Sequence, residues 1–380
     1  MTRRGRSERG FTLIELMVAL VVSSLLVGMI LAIFNRMSIA YRGQQQIAGV
    51  QQVLAAARAT IELDAKQAGL ELSQGFRYAA DAGTPPTARS AVRVIDNPTG
   101  NGPDQIAFFY ADPTTQAAVT GGTMPTINVD ATTGFAVGDL VVLARVDTTT
   151  GGVNAGVDAN LATYEACVLK VTGVTASPAR LTFDTSAPWG RAGETHCTMA
   201  LASPTMVYKF IARGYKIDTS TAARAAQGPL QLSATGGLIG TAADNWTDLA
   251  YGFTDIQTAL QVYDHTSAPG DTADIDADGD RDWFSDGTQT TLTGPATTLT
   301  GTDGLLQMSI SLVARTDRNV EGIATAATPQ LIDPAIPNNN TIGNHASVAL
   351  PSATDPALQG SRIYRFTTFT VDLRNLGVGR

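Results

Sequence analysis

The sequence predicts an α+β protein in which one long N-terminal helix, apolar in its first half, packs on a large antiparallel β-rich head with long loops. Three observations support this prediction. An apolar run stands near the N-terminus, a helical repeat continues beyond it, and alternating apolar and polar residues follow. We expect a leader of residues 1–10, a helix over 11–72 with 11–34 in the membrane, and a head over 73–380.

The composition excludes several classes of protein. The 380 residues carry a net charge of −8, which offers no basic surface for nucleic acid. Two cysteines and three histidines leave little material for a zinc or iron–sulfur site. The sequence contains no glycine-rich phosphate loop and no serine elbow, so we expect neither an enzyme nor a required cofactor.

The N-terminal segment combines positive charge with an apolar run of membrane length. Four arginines lie within residues 1–10. The 24 residues from Phe11 to Phe34 would form a helix about 36 Å long, enough to cross a hydrocarbon core of about 30 Å. A secretory signal has a shorter apolar region and ends in a small-residue cleavage site. We therefore expect a membrane-spanning helix with its leader in the cytoplasm and the remainder of the chain outside.

Glu15 is a carboxylate near the start of this run, where a charge costs free energy in lipid and usually has a function. Cleavage between Gly10 and Phe11 would create an amine at Phe11, four residues before Glu15. A carboxylate can neutralise such an amine in its own chain or in a neighbouring one. At 4 Å that contact is worth about 4 kcal/mol before the cost of desolvation, at an effective dielectric constant of about 20.

The residues from Gly10 to Glu15 (GFTLIE), followed by the apolar run, resemble the signal of type IV prepilins and type II secretion pseudopilins. The resemblance implies that a prepilin peptidase cleaves after Gly10 and that Phe11 is then methylated. It also implies a docking role for Glu15 during assembly and the long spine helix of a pilin. The alternative is an ordinary signal anchor with a chance glutamate.

A second likeness, to the PilW family of minor pilins, is spread over the helix and the head. The stretches that carry it are 51–70, 104–110, 138–143, 250–263, 305–316 and 364–375. This resemblance implies a role in initiating type IV pilus assembly, in or near the pilus tip complex, with other minor pilins, the major pilin and a tip adhesin as partners. The alternatives are a type II secretion pseudopilin, and a membrane-anchored periplasmic enzyme or binding protein.

The helical period continues after the apolar run. Its apolar positions are Ile47, Val50, Leu54, Ala57, Ile61, Ala65, Ala68 and Leu72. They are spaced three or four residues apart, which is typical of one buried helix face. The sequence therefore predicts that the second half of the helix packs on the head.

Alternation with a period of two predicts half-buried strands in the head. The predicted strands are 105–110, 139–146, 166–172, 179–184, 205–211, 256–262, 306–312 and 369–373. The Gly-, Thr-, Asp- and Pro-rich stretches between them predict long loops. These predicted loops are 81–104, 112–134, 147–160, 264–304 and 322–360.

One predicted loop carries alternating carboxylates. They are Asp274, Asp276, Asp278, Asp280 and Asp282. With Gly279 at the sixth position, the pattern matches the first half of a calcium loop, but Ser285 replaces the glutamate expected at the twelfth. Two interpretations stay open: an acidic, solvated hairpin loop, or a structural Ca²⁺ site.

Cys167 and Cys197 both lie in the part that we expect to be exported. Two cysteines in an oxidising compartment usually pair, and we expect a disulfide between them. The alternative, a thiolate nucleophile that uses His196, has no supporting motif.

Overall fold

The computed structural model describes residues 12–72, 76–80, 89–95, 103–146, 164–190, 197, 201, 205–237, 245–263, 283–284, 304–317, 362–373 and 375–376. It confirms the predicted α+β architecture, because a long apolar helix packs on antiparallel β-sheets.

The described residues form two helices and a series of strands. The helices are α1 (Leu13–Gln67) and α2 (Ala222–Gln227). The strands are β1 (Val92–Ile95), β2 (Gln105–Thr123), β3 (Thr126–Val129), β4 (Leu140–Val146), β5 (Tyr164–Ala176), β6 (Ala179–Phe183), β7 (Thr205–Ile217), β8 (Leu230–Ser233), β9 (Thr247–Ala250), β10 (Phe253–Tyr263), β11 (Trp283–Phe284), β12 (Gly304–Arg315) and β13 (Tyr364–Asp372).

Helix α1 runs for 55 residues, about 80 Å at about 1.5 Å per residue. Its buried face follows the predicted spacing. The buried apolar side chains on it are Val50, Leu54, Ala57, Ile61 and Ala65. The helix ends at Gln67, five residues before the predicted end, because the backbone leaves helical geometry at Ala68 and turns through Gly69 with φ +80°.

All eight predicted strands are present, but three loop predictions are wrong in part. Strand β1 lies inside the first of them, 81–104, the second half of β2 with β3 lies inside 112–134, and β11 lies inside 264–304. The prediction of a loop over 112–134 failed because β2 continues past Asp112, through a shift in its pairing register with β7 between Asp112 and Gln116. At this register shift the Asp112 carboxylate accepts hydrogen bonds from the Thr114 N–H at 2.9 Å and the Thr114 hydroxyl at 2.6 Å, which stabilise the local chain path.

Six strands close into a small antiparallel barrel. Each strand pairs with the next in the order β2, β3, β6, β5, β4 and β7, and β7 pairs with β2 again. The length of β2 permits this closure, since its residues from Ile106 to Ala118 pair with β7 while its end, from Val119, pairs with β3. Strands β1, β8 and β9 extend the sheet outside the ring.

The barrel wall separates two apolar cores. Val142 and Val168 face a first core, which also contains the buried face of α1, whereas Leu143 and Leu169 face the second core. All six barrel strands contribute to the second core, so it fills the inside of the barrel. The described part of the barrel interior is therefore a packed apolar core.

A second sheet covers another side of α1. Its strand order is β11–β10–β12–β13, and β12 and β13 contact the helix. Ile310, Phe369 and Val371 bring its apolar face into the first core. The Asp104 carboxylate ties this sheet to the start of β2, because it accepts hydrogen bonds from the Thr258 N–H at 2.9 Å and the Thr258 hydroxyl at 3.0 Å.

Candidate functional site at the two ends of the long helix

Gly10 and Phe11, the residues predicted for cleavage and methylation, lie outside the described residues. The residue that follows them, Thr12, is the N-cap of α1. Glu15, the third predicted residue of this site, lies in the first helical turn and is exposed. The structure therefore places Glu15 at the N-terminal end of the helix, where an acidic side chain interacts favourably with the helix dipole.

Thr12 and Glu15 form a capping box. One oxygen of the Glu15 carboxylate accepts from the Thr12 N–H at 3.0 Å and from the Thr12 hydroxyl at 2.9 Å. In return, the Thr12 hydroxyl accepts from the Glu15 N–H at 3.4 Å. Sequence reasoning sought an amine partner for Glu15 and overlooked this one, although Thr-x-x-Glu before an apolar run is its sequence signature.

The first half of α1 exposes apolar side chains on every side. All residues from Thr12 to Phe34 are exposed, including Leu13 at 80% and Phe34 at 71%. A helix that is apolar all round is stable in lipid or among other helices rather than in water. Within the described part of the chain, α1 is the helix that is long and apolar enough to cross a membrane.

The other end of α1 contains a buried acid that sequence reasoning missed. Asp64 is 7% exposed and lies on the face that packs on the head. Its carboxylate accepts a hydrogen bond from the hydroxyl of Tyr110 on β2 at 3.0 Å and another from the hydroxyl of Tyr215 on β7. A buried charge needs such partners, and the two strands that supply them are neighbours in the barrel.

Both tyrosines remain donors to Asp64. Burial first, and then the Asp64 carboxylate, raise the pKa of Tyr110 and Tyr215 well above the ordinary value of a phenol. Neither hydroxyl therefore loses its proton at neutral pH. The cluster of Asp64, Tyr110 and Tyr215 thus joins the helix to two barrel strands.

The predicted disulfide between Cys167 and Cys197 is confirmed. The two Cα atoms are 5.5 Å apart, and the two residues are 1% and 7% exposed within the barrel core. Cys167 belongs to β5, and Cys197 follows β6, so the bond ties the connection between β6 and β7 into the barrel. Both sulfurs are bonded, which leaves no free thiol for the alternative nucleophile.

The five aspartates of the predicted calcium loop, between 274 and 282, lie outside the described residues. Among the residues that are described, no group of three or more histidine, cysteine, aspartate or glutamate side chains could hold a metal ion.

Comparison with known proteins bears on the N-terminal end. A family model described as the prokaryotic N-terminal methylation motif matches residues 5–31. No curated protein matches the chain significantly. The match includes the leader end, the capping box and most of the apolar half of α1. Residues 5–31 are therefore a type IV pilin-like prepilin signal, the kind of segment that a prepilin peptidase processes before a pilin assembles.

Proposed function

We propose that the chain is a minor pilin of the PilW type, a structural subunit rather than an enzyme, that takes part in initiating type IV pilus assembly and sits in or near the pilus tip complex. One observation carries the proposal: the prepilin signal leads directly into a helix that is exposed and apolar in its first half and packed on a β-rich head in its second. A pilin needs both halves, one for the membrane and the fibre and one for the head.

The proposed mechanism begins with storage in the inner membrane. The arginines Arg3, Arg4, Arg6 and Arg9 precede the span, whereas Arg36 and Arg42 follow it. This excess on the N-terminal side favours a cytoplasmic leader and a periplasmic head. A prepilin peptidase then cleaves between Gly10 and Phe11, and the new amine at Phe11 is methylated.

Assembly then exchanges one apolar environment for another. The exposed half of α1 leaves lipid and packs among the helices of other minor pilins and the major pilin, so little apolar surface meets water. Glu15 orients this step, because its carboxylate meets a Phe11 amine of its own chain or of a neighbour. A head with a barrel and a second sheet is bulky for dense repetition along a fibre, which favours a position near the tip adhesin.

Mass spectrometry of the mature N-terminus tests the proposal. Chain purified from a strain with an active prepilin peptidase is expected to begin at a methylated Phe11. A peptidase-deficient strain is the matched control and should yield the uncut chain. An intact N-terminus in both strains, or cleavage elsewhere than after Gly10, would refute the proposal and favour a membrane-anchored periplasmic protein.

A type II secretion pseudopilin would share the processed signal. Co-purification with pilus subunits rather than with secretion components therefore distinguishes a type IV pilin from a pseudopilin.

The loop from Asp274 to Asp282 is proposed either to bind a structural Ca²⁺ or to be solvated. A rise in thermal stability with added Ca²⁺ that is lost in Asp276→Asn would support the metal, and no rise would favour the solvated loop.

A further inference from the structure

The attachment of α1 to the head differs between the two ends of the packed segment. From Gly43 to Ile61, contact is made by apolar side chains on one face, with Val50, Leu54 and Ala57 buried. The Arg58 guanidinium also lies 5.1 Å from the centre of the Phe369 ring. The side-chain hydrogen bonds of Arg58 and Thr60 stay within the helix, to Glu62 and to the Ala56 carbonyl.

Among the described residues, the side-chain hydrogen bonds from the helix to the head begin at Asp64. There the carboxylate receives both tyrosine hydroxyls, from β2 and from β7. Five residues later the Gly69 N–H donates to the Phe109 carbonyl at 2.9 Å, and the Ala111 N–H donates to the Leu70 carbonyl at 3.0 Å. The main chain after α1 is thus paired with the same β2 strand that supplies Tyr110.

The turn after β13 completes these contacts. The last carbonyls of a helix lack intrahelical partners, and here the Asn375 side-chain amide donates to the carbonyls of Lys66 and Ala68, at 3.2 Å each. Leu376 packs over Gly69, where a Cβ atom would lie 2.5 Å from the Leu376 Cδ2. Glycine is therefore required at 69 both for the positive φ and for this close contact.

We name these contacts the helix clamp: residues 64–70 of the chain together with Phe109, Tyr110, Ala111, Tyr215 and Asn375. We propose that the helix clamp is a conformational device that fixes one end of the packed helix, so that the segment 43–57 separates from the head first when the helix bends or is pulled. Apolar contacts on one face can slide or open gradually, whereas buried polar groups that lose their partners resist opening. The Gln46 side-chain oxygen, which is buried without a hydrogen-bond partner among the described residues, gains water when this segment opens.

This inference concerns the single chain, and it stands whether or not the chain enters a pilus. Its test and the test of the proposed function can therefore fail independently. Its consequence in an assembly is that the exposed half of α1 can change its angle to neighbouring helices while the head stays attached at Asp64 and beyond.

Hydrogen–deuterium exchange on the full chain in detergent micelles tests it. After correction for intrinsic rates, amides in 44–57 are expected to exchange at least about tenfold faster than those in 61–68. Equal protection of the two segments would overturn the proposal, and this comparison needs no variant.

Variants of the clamp give a second measurement. The double change Tyr110→Phe with Tyr215→Phe removes only the two hydroxyls, and Asn375→Ala removes only the cap. Each is expected to raise exchange in 61–68 toward the rate of 44–57. Tyr251→Phe is the matched control, since its hydroxyl donates to Asp248 at 2.8 Å away from the helix. Unchanged exchange in 61–68 for both clamp variants would overturn the proposal.

Discussion

The Asp64 carboxylate of α1 accepts a hydrogen bond from the Tyr110 hydroxyl of β2 at 3.0 Å, although Asp64 is 7% exposed between the helix and the head. An acid on the buried face of a helix is destabilising unless its oxygens find donors. Here the donors are phenols, which are neutral, so the pair forms without a second buried charge. The contact fixes where along its length, and at what rotation, the helix meets the barrel.

We predict that Asp64→Ala lowers the free energy of unfolding of the detergent-solubilised chain by about 2–4 kcal/mol, because two buried hydroxyls lose their acceptor. Asp372→Ala is the matched control. Asp372 is exposed, and within the described part of the chain its carboxylate accepts a side-chain hydrogen bond from the Gln307 amide alone, at 2.8 Å, so its loss should cost about 0.5 kcal/mol or less. Denaturant titration measures both, and equal losses would contradict the assigned role of Asp64.

The helix could be predicted from the sequence, and Asp64 could not. Residues three and four apart share a helix face whatever the tertiary structure, so the positions of Val50, Leu54, Ala57 and Ile61 were sufficient to identify the buried face. A charged residue beside them would ordinarily face solvent. Only its tyrosine partners, 46 and 151 residues away, make burial of Asp64 favourable. A local sequence pattern does not show which residues so far apart in the chain will come into contact.

The barrel escaped prediction for a related reason. Local alternation identified β4, β5 and β7, but the closure of a ring depends on which strands pair. The closing contacts come from β3, which has only four residues, and from the second half of β2, which is rich in Thr and Gly. Their backbone pairing is specified by neighbours distant in sequence, such as the Ile127–Leu181 pair between β3 and β6.

Replacement of Gly69 or Gly49 by alanine is predicted to change the free energy of unfolding in opposite directions. Gly69→Ala should lower the free energy of unfolding by about 2–4 kcal/mol, because Gly69 has φ +80° and a Cβ would collide with Leu376. Gly49→Ala should raise it by about 0.5–1 kcal/mol, since Gly49 is helical and nothing lies within 4 Å of its Cβ position. Thermal or denaturant unfolding measures both, and a stabilising Gly69→Ala would contradict the described helix end.

The disulfide is predicted to stabilise the barrel. Cys167 and Cys197 are 30 residues apart, so the chain-entropy model gives about 3–4 kcal/mol for closing that loop. Replacing both cysteines by serine should lower the free energy of unfolding by at least that amount. Alkylation of the denatured wild-type chain should label no thiol until a reductant is added. Labelling before reduction would show that the bond is not formed in the purified protein.

A surface cluster around Asp248 predicts a dependence on pH. The Arg224 guanidinium donates to Asp248 at 2.9 Å and to Asp218 at 2.8 Å, and the Gln231 amide donates to Asp248 at 2.9 Å. The hydrogen bonds from Arg224, and next from Gln231, hold the pKa of Asp248 well below its ordinary range. The folded state therefore binds a proton at Asp248 less readily than the unfolded state does.

Because the pKa of Asp248 is lower in the folded state than in the unfolded state, the stability of the fold should depend on pH in one direction. The stabilising contribution of Asp248 is complete above the unfolded-state pKa of about 3.9, and it is lost as pH falls from there through the lower folded-state value. Asp248→Asn should therefore melt at a lower temperature than wild type at pH 7, and the difference should shrink below about pH 3.9. A difference in melting temperature that stays constant down to pH 2 would contradict the assignment.

Variants of Glu15 and Thr12 distinguish two roles of the Glu15 carboxylate, capping of α1 and docking during assembly. If Glu15 serves only to cap α1, then Thr12→Ala and Glu15→Ala should both have mild effects, because each removes only part of the capping box. Thr12→Ala removes the two hydrogen bonds of the Thr12 hydroxyl, and Glu15→Ala removes the two that the carboxylate accepts. If Glu15 also meets a Phe11 amine during assembly, only the loss of its charge should be severe. We predict the second outcome.

Glu15→Ala is expected to leave cleavage after Gly10 largely intact and to reduce the amount of the chain in sheared pili by at least about tenfold. Thr12→Ala keeps the carboxylate and the backbone N–H that donates to it, and removes only the hydroxyl, so incorporation should fall by about twofold or less. The difference follows from energy: an amine–carboxylate contact at 4 Å is worth about 4 kcal/mol before desolvation, whereas a helix N-cap is worth about 1 kcal/mol. Immunoblots of sheared and membrane fractions measure incorporation, and mass spectrometry of the membrane fraction measures cleavage. Normal incorporation of Glu15→Ala would rule out the docking role.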